Sequence, residues 1–325
     1  MLILVAVAVG ASSAPAAGIR LQRPGALAVG RNGVIYIADS GRHQILARLP
    51  SGRLEVIAGT GKAGFAGDGG RAVDAELNAP AGMTLARDDT LYFADPAGNR
   101  VRAISPRGII RTVAGNGKFG WVESGTRALA ARLGGPTAVT IGPDRRLYIA
   151  ATGWGEILRL SANGTLTRIA GIRGPEGVHG VGKPATRASA DGPSGLAFDR
   201  SGNLFIAGMN TKTLLMVTPG GTMTLPDGKS GFYPRGFGCV VTGPDGRVLA
   251  VSGTAIVRLT PHGTEPIRDL GRRPVGGVGG FAPEGIAVAP NGAVYTDTWV
   301  GNGFANKTTL IEIRPGGRVR VLWKS

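Results

Sequence analysis

The chain has 325 residues, and its 56 glycines and 21 prolines recur between short runs rich in Val, Ile, Leu and Tyr. This pattern predicts many strands and almost no helix. With 37 Lys and Arg residues against 21 Asp and Glu residues, the net charge is +16, which favours an anionic partner, although no more than two basic residues are ever adjacent. The single cysteine, Cys239, excludes an intrachain disulfide framework, so packing and strand pairing must hold the fold.

The N-terminal segment has the pattern of a signal peptide. Residues 1–11 are small or apolar, and Ala-Pro-Ala at 14–16 matches a cleavage site after Ala16. We therefore expect residues 1–16 to be a signal peptide and the mature chain to be secreted, periplasmic or attached to the cell surface. The apolar run is shorter than the ~20 residues that cross a bilayer, and no second run follows, so we expect no transmembrane segment.

One sequence pattern occurs six times along the rest of the chain. Each copy has a Pro-x-Gly-like start and four short apolar segments separated by Gly or polar turns, and the copies begin at Pro24, Pro80, Pro136, Pro193, Pro234 and Pro283. Each copy predicts a four-stranded antiparallel meander. A single sheet of this kind cannot bury both faces, whereas six sheets packed around an axis can. The predicted fold is therefore all-β, a six-bladed β-propeller of four-stranded antiparallel blades.

The last apolar segment, near residues 318–323, completes the sixth copy from its own sequence. We therefore expect the ring to close by packing of the sixth blade on the first, rather than through a blade shared between the two termini. Residues 17–23 are able to add an edge strand to this junction.

The repeats resemble the NHL family. Residues 80–115, with LYFAD, a G-N-R-V turn and TVAG, carry the resemblance, as do residues 25–59 with VIYIADSGRHQI. The stretch 59–80 is similar to a linker of secreted bacterial NHL proteins and of the teneurin-type NHL domain. The resemblance covers 24–325 and implies a single NHL propeller domain over 17–325, used as a binding platform.

Three long linkers follow the first three repeats, at residues 59–80, 115–136 and 171–193, here called linkers 1, 2 and 3. In a propeller such linkers share one face with the turns between second and third strands, and loops on a rigid scaffold often carry binding. Residues 71–77 and 127–133 are predicted to form helical turns that pack down on the propeller.

The predicted ligand-binding residues combine aromatic contact area with charged groups that would orient a ligand. They are Phe65, Asp68, Trp121, Trp154, Arg235, Glu284 and Trp299. Trp154 and Trp299 are placed in turns between second and third strands, and Arg235 and Glu284 at the mouth of the central channel.

The function predicted from these features is non-catalytic recognition of a protein, a peptide or an anionic glycan by a monomer without a cofactor. The first alternative is a metal-dependent hydrolase or lyase at the central channel, because related six-bladed propellers include gluconolactonase-like calcium hydrolases and streptogramin lyases. Its candidate Ca²⁺ ligands are Asp39, Asp95, Glu284 and Asp297, although such an Asp can instead tie down its own turn. The third possibility is single-stranded RNA binding, which the charge permits and a signal peptide disfavours.

Overall fold

The computed structural model describes residues 19–173, 177–190, 192–208, 213–226, 237–252, 255–260, 263–269, 285–300, 307–315 and 318–324. The predicted signal peptide and the predicted site residues Arg235 and Glu284 lie outside these ranges. Within them, no helix has the length and apolar character needed to cross a membrane.

The described strands form six sheets of four strands, and each sheet follows the order of its strands in the chain. All pairs of neighbouring strands within the sheets are antiparallel, as in β1 with β2 (Pro24–Val29 with Ile35–Asp39). The predicted fold class, a six-bladed propeller of four-stranded antiparallel blades, is confirmed.

The first three blades come from residues 24–170. Blade 1 contains β1 (Pro24–Val29), β2 (Ile35–Asp39), β3 (Gln44–Arg48) and β4 (Leu54–Ala58). Blade 2 contains β5 (Met83–Leu85), β6 (Leu91–Asp95), β7 (Arg100–Ile104) and β8 (Ile110–Ala114). Blade 3 contains β9 (Pro136–Ile141), β10 (Leu147–Ala151), β11 (Glu156–Leu160) and β12 (Leu166–Ala170).

The other three blades come from residues 193–324. Blade 4 contains β13 (Pro193–Phe198), β14 (Leu204–Gly208), β15 (Leu214–Val217) and β16 (Met223–Thr224). Blade 5 contains β17 (Phe237–Thr242), β18 (Val248–Ser252), β19 (Ala255–Thr260) and β20 (Gly263–Asp269). Blade 6 contains β21 (Ile286–Val288), β22 (Val294–Val300), β23 (Lys307–Ile313) and β24 (Val319–Lys324).

Asn-Gly pairs form several of the Gly or polar turns that separate the strands. Between β1 and β2, Gly33 has a φ of 76°, a conformation that glycine adopts without steric cost. The side-chain oxygen of Asn32 accepts a hydrogen bond from the Val34 N–H at 3.1 Å. The same residue pair forms the turn between β11 and β12, where the side-chain oxygen of Asn163 accepts a hydrogen bond from the Thr165 N–H at 3.2 Å.

The core lies between the blades. Six clusters of buried apolar side chains each join two neighbouring blades. Val101 of blade 2 and Ile149 of blade 3 belong to one of them. Ile37 of blade 1 and Leu310 of blade 6 belong to another, so the ring closes by packing and blade 6 supplies all of its own strands. Residues 19–23 add no strand, but Leu21 is buried in this last cluster.

Each long linker contains a short 3-10 helix that packs down on the blades, as predicted for linkers 1 and 2. The three helices are Ala72–Asp74, Ala128–Ala130 and Ala185–Arg187. In linker 1, Ala72 accepts a hydrogen bond from the Gly59 N–H at the end of blade 1, and its own N–H donates to the Gly108 carbonyl oxygen of blade 2. The linker therefore joins the outer edges of two blades.

Two further 3-10 helices, Pro96–Gly98 and Thr152–Trp154, form turns between second and third strands. Trp154 therefore lies where the sequence predicts it. The turn predicted for Trp299 is wrong, because Trp299 lies within β22 and its backbone pairs with Thr308 of β23. In blade 6 these two strands extend beyond Asp297, whereas β2 and β6 end at the corresponding Asp.

Candidate functional site

The turns between second and third strands are tied to the linkers on the same face. His43 and Asn99 have left-handed backbone conformations, with φ of 53° and 48°. His43 Nδ1 accepts a hydrogen bond from the Ala79 N–H at 3.1 Å, and Asn99 Oδ1 accepts one from the Gly135 N–H at 3.1 Å. Each turn thus fixes the end of the linker beside it, so this face presents ordered loops.

Linker 1 is held by a buried arginine of blade 2. Arg102 in β7 is fully buried, and its Nε and Nη2 donate to Asp68 Oδ1 at 3.2 and 2.7 Å. Nη1 donates to the Glu76 carbonyl oxygen at 2.7 Å, and Nη2 also donates to the Ala66 carbonyl oxygen at 3.0 Å. A buried guanidinium needs such partners, so these contacts fasten the linker to the blade.

Both carboxylate oxygens of Asp68 are used in this arrangement. Oδ2 accepts a hydrogen bond from the Thr112 N–H at 2.9 Å, while Oδ1 binds Arg102. Burial by itself would raise the pKa of Asp68, but the hydrogen bonds from Thr112 and Arg102, together with the charge of Arg102, bring that pKa below its ordinary value. The structure therefore gives Asp68 a role in anchoring linker 1.

Phe65 lies beside the same anchor. The guanidinium carbon of Arg100 is 3.5 Å from the centre of the Phe65 ring, and that of Arg102 is 5.0 Å away. The side chain nevertheless leaves 43% of its surface exposed. Phe65 and Asp68 are thus brought together on blade 2, apart from the other predicted aromatic residues.

Linker 2 and the turn of blade 3 form an aromatic pocket of about 350 Å³. Phe119 and Trp121 of linker 2 and Trp154 of the turn form the aromatic walls from which this pocket takes its name. The ring centres of Phe119 and Trp154 are 5.8 Å apart, within the range of favourable aromatic contact. Of the predicted ligand-binding residues, the structure brings Trp121 and Trp154 together here.

Two guanidinium groups and one carboxylate also line the aromatic pocket, from Arg132, Arg173 and Glu123. Arg132 Nη2 donates to the Phe119 carbonyl oxygen at 3.2 Å, and the Arg173 guanidinium carbon lies 5.4 Å from the Trp154 ring centre. The Trp154 Nε1–H is buried and has no acceptor among the described residues. The pocket therefore combines aromatic walls with hydrogen-bond donors.

The corresponding positions of linkers 1 and 2 differ in charge. The second and third repeats start 56 residues apart, so Lys62 and Glu76 of linker 1 correspond to Lys118 and Arg132 of linker 2. Lys62 Nζ and Glu76 Oε1 form an ion pair at 2.7 Å. In linker 2 both corresponding residues are cationic, which leaves positive charge beside the aromatic pocket.

A buried carboxyl lies behind this linker. Glu156, the first residue of β11, is fully buried, and its Oε2 accepts a hydrogen bond from the Val122 N–H at 3.1 Å. Burial raises the pKa of Glu156 to about 7, against the opposing effects of the Val122 hydrogen bond and the Arg168 charge. The Arg168 guanidinium carbon lies 4.7 Å from the Trp121 ring centre. Glu156 thus couples blade 3 to the segment that carries the pocket.

The candidate metal ligands of blades 1 and 2 bind backbone groups. Asp39 accepts hydrogen bonds from the N–H groups of Gln22 and Arg23 at 2.7 and 2.8 Å, just before β1. Asp95 Oδ1 accepts one from the Asn78 N–H at 2.7 Å, before β5. Burial raises the pKa of Asp95 to about 6. These carboxylates hold the chain where it enters each blade.

The corresponding residue of blade 6 makes a similar contact. Asp297 Oδ1 accepts a hydrogen bond from the Gly285 N–H at 2.6 Å, next to Glu284, which lies outside the described residues. In the part of the chain that the structure describes, no three His, Cys, Asp or Glu side chains lie close enough together to share a metal ion. Calcium binding by these residues stays a prediction.

Sequence reasoning missed Arg102, although the repeats contain a signal for it. Its position in β7 corresponds to Leu46 in β3 and Leu158 in β11. A charged residue at a position that is apolar in the neighbouring repeats indicates a buried polar partner. Alignment of the repeats would therefore have pointed to Arg102 and, from it, to a carboxylate such as Asp68.

Phe119, Arg132 and Arg173 were also absent from the predicted ligand-binding residues. The exchange of Glu76 for Arg132 between corresponding positions is visible in the sequence and marks linker 2 as more basic. Arg173 of linker 3 stands where linkers 1 and 2 have Gly61 and Gly117, but its contact with Trp154 arises only through the fold.

Comparison with known proteins identifies relatives of this chain. A family model described as the teneurin NHL domain matches residues 47–230, and a model of the NHL repeat matches residues 21–47. The chain is 27% identical to Teneurin-3 of Mus musculus over 276 residues, which make up 74% of this chain and 10% of that protein. It is 33% identical to Teneurin-1 of Homo sapiens over 174 residues, or 48% of this chain and 6% of that protein.

The chain therefore spans a tenth or less of the length of these two curated relatives. Among solved structures, it is similar to virginiamycin B lyase from Staphylococcus aureus, with a TM-score of 0.57 at 14% identity over 93% of this chain and 84% of that chain. It is also similar to a gluconolactonase from Xanthomonas campestris, with a TM-score of 0.57 at 12% identity over 85% of this chain and 84% of that chain. At these identities the likeness concerns the fold alone.

Proposed function

This chain belongs to the teneurin NHL-domain family, and from that membership we propose that it is an exported, monomeric, non-catalytic recognition module. Its ligand would be a protein, a peptide or an anionic glycan, bound on the face formed by the long linkers and the turns between second and third strands. Export is proposed from the signal-peptide pattern of residues 1–16.

The observation that carries the proposal is the aromatic pocket on an ordered face. Trp and Arg side chains dominate binding energy in protein recognition when they lie in preformed pockets. Here Trp121, Trp154 and Arg132 line one pocket. The linkers beside it are hydrogen-bonded to the blades, so a ligand would not have to order them on binding.

Binding should depend on this face. We would screen the purified chain against a displayed random-peptide library and an array of anionic glycans, and then measure the affinity of the selected ligands. Trp154→Ala is expected to weaken binding by about 10-fold or more, which corresponds to about 1.4 kcal/mol. The matched control is Arg247→Ala, because Arg247 lies on the opposite face in the turn between β17 and β18 and pairs only loosely, at 3.8 Å, with Asp245.

Ligands that are lost with Arg247→Ala but retained with Trp154→Ala would contradict the proposed face. Elemental analysis of the untreated protein separates this function from the alternative of a metal-dependent hydrolase or lyase. Tightly bound calcium that disappears in Asp39→Asn would favour the enzyme.

A further inference from the structure

We propose that the aromatic pocket of linker 2 binds a carboxylate side chain of an acidic peptide segment that also supplies an adjoining apolar side chain. This inference rests on the proposed recognition function and names the ligand of its site. Four observations carry it: the charge of linker 2, the number of charges in the pocket, the coverage of the indole rings and the size of the pocket.

The first observation is the loss of an ion pair between corresponding linkers. In linker 1, Glu76 neutralises Lys62 at 2.7 Å. In linker 2 the corresponding Arg132 cannot neutralise Lys118, and both side chains are exposed. A ligand that brings an anion would supply the negative charge that Glu76 supplies in linker 1.

The second observation is the charge of the pocket itself. Arg132 and Arg173 line it together with a single carboxylate, Glu123. No ion pair joins Glu123 to either arginine among the described residues. The lining residues by themselves carry one net positive charge, which a carboxylate would balance, whereas a phosphate, with about −1.5 to −2 charges at neutral pH, would need Lys118 as well. A guanidinium also matches the planar fork of a carboxylate and can bind both of its oxygens.

Arg173 is the better placed of the two guanidinium groups. Its guanidinium carbon is 5.4 Å from the Trp154 ring centre, and it makes no hydrogen bond or ion pair with the described part of the chain. A guanidinium stacked on a ring keeps its N–H edge available, so its orientation is partly set before a ligand arrives. The same stacking lowers the conformational entropy lost on binding.

The third observation favours a peptide over an acidic glycan. Arg168 lies 4.7 Å from the Trp121 ring centre, and Arg173 lies over the Trp154 ring, so one face of each indole is already covered. At most one face of each indole is then open to a stacked sugar ring, whereas an apolar side chain packs against ring edges as well as faces. Phe119, which is 49% exposed, completes the apolar wall.

The fourth observation is the size of the site. A volume of about 350 Å³ lies at the lower end of the range of ligand pockets, ~300–1,000 Å³. It has room for one apolar side chain and the acidic side chain beside it, and not for several sugar units in a row. The ligand is therefore expected to anchor two adjacent side chains and to make its other contacts outside the pocket.

The test compares two matched peptide libraries on the purified full chain. One library has Asp or Glu fixed beside a randomised apolar position, and the other has Asn or Gln at the fixed position. The unmodified chain is expected to bind the best acidic peptides about 10-fold more tightly than their amide counterparts. Arg173→Gln should reduce this preference to about 3-fold or less, and Arg132→Glu, which allows a pair with Lys118, should abolish it.

The matched control is Glu76→Gln in linker 1, which should leave the preference for acidic peptides unchanged. Trp154→Ala should weaken both the acidic and the amide peptides, because it removes the apolar wall, and it should also lower the preference for acidic peptides, because Arg173 loses the ring on which it stacks. Arg132 and Arg173 are exposed, so these variants should keep the melting temperature of the unmodified chain, which is measured alongside.

The outcomes separate this inference from the proposed function. If acidic and amide peptides bind equally and Trp154→Ala weakens both, the carboxylate inference is overturned and the recognition function stands. The carboxylate inference is also overturned, and the recognition function again stands, if an oligogalacturonate or a phosphopeptide probe binds in a Trp154-dependent way while acidic peptides do not. If no probe shows dependence on Trp154, both the inference and the proposed function fail.

Discussion

Buried acidic residues of this propeller differ in how well their charges are compensated. Glu156 has one hydrogen-bond donor, the Val122 N–H, and burial raises its pKa to about 7. Asp95 has the Asn78 N–H on Oδ1, no hydrogen-bond partner on Oδ2, and a pKa raised to about 6 by burial. A carboxylate that loses water and gains few donors is easier to protonate, so both residues make stability depend on pH.

Glu156→Gln tests this dependence. Because the pKa in the folded chain lies above the ordinary value of 4.5, the folded state holds a proton that the unfolded state releases. The free energy of unfolding should therefore fall as the pH rises from about 4.5 to about 7 and stay level above that. Near pH 8 the variant should be more stable than the unmodified chain by on the order of 1–3 kcal/mol, and near pH 4 this gain should vanish.

Urea unfolding at several pH values measures the effect. Glu265→Gln is the control, because Glu265 lies on the surface of β20 and pairs with Arg258 at 3.5 Å. A difference between Glu156→Gln and the unmodified chain that does not change with pH would show that burial is not what governs this carboxyl.

At the scale of elements, linker 1 is attached differently from linker 2. Arg102 of β7 needs the carboxylate of Asp68, whereas the corresponding residues of blade 3 and linker 2 are Leu158 and Ser124. Ser124 Oγ accepts a hydrogen bond from the Arg168 N–H at 3.0 Å. Linker 1 is therefore held by a buried ion pair, whereas linker 2 is held by apolar packing and by hydrogen bonds such as that from the Val122 N–H to Glu156.

Asp68→Ala should destabilise the chain by about 2–4 kcal/mol, because the buried guanidinium of Arg102 loses its closer charged partner, at 2.7 Å, and keeps only Asp95 Oδ2 at 4.0 Å. The double substitution Asp68→Ser with Arg102→Leu installs the residues of the neighbouring repeat and should recover part of that loss, since it removes the unpaired guanidinium but also takes the Arg102 charge away from Asp95. The measurement is urea unfolding, with hydrogen exchange of the amides of residues 66–77 as a local readout. Asp74→Ala, at an exposed pair with Arg71 at 3.7 Å, should change stability by less than ~0.5 kcal/mol.

If the double variant is as unstable as Asp68→Ala alone, the ion pair does not act as a unit and the anchoring role of Asp68 is wrong.

At the scale of the whole molecule, stability depends on a closed ring of blade junctions. Each junction is a cluster of apolar side chains from two neighbouring blades, and the last joins blade 6 to blade 1. Because blade 6 supplies its own four strands, no strand pairing crosses this junction within the described ranges. Packing of residues such as Leu310 against blade 1 has to hold the ring closed.

Leu310→Ala should therefore lower the free energy of unfolding by about 2–5 kcal/mol, the usual range for truncation of a fully buried Leu. The effect should reach remote blades, so hydrogen exchange in β10 of blade 3 should speed up as well. Leu129→Ala is the control, because that side chain is 62% exposed. If exchange increases only in blades 6 and 1, the junctions are not cooperative.

Repeated local patterns are the reason that the fold was predictable. Apolar segments of strand length, Asn-Gly turns and a recurrent Pro start determine each blade, and blades of this kind have no other way to bury both faces than to pack around an axis. The face that carries the linkers and the turn position of Trp154 follow from the same topology. The turn position predicted for Trp299 was wrong because β22 and β23 are longer than the corresponding second and third strands of the other blades. Strand length depends on the pairing partner as well as on the local sequence.

The sequence by itself thus determined the family, the number of blades and the packed-down turns of linkers 1 and 2, since all of these depend on short-range pattern. Only the tertiary structure decided which side chains meet. It brought Trp154 of a turn against Phe119 of a linker, and it paired Asp68, an expected ligand contact, with a buried arginine. The physical reason is that hydrogen bonds and stacking require positions within a few ångströms, and these are set by how linkers cross the blades.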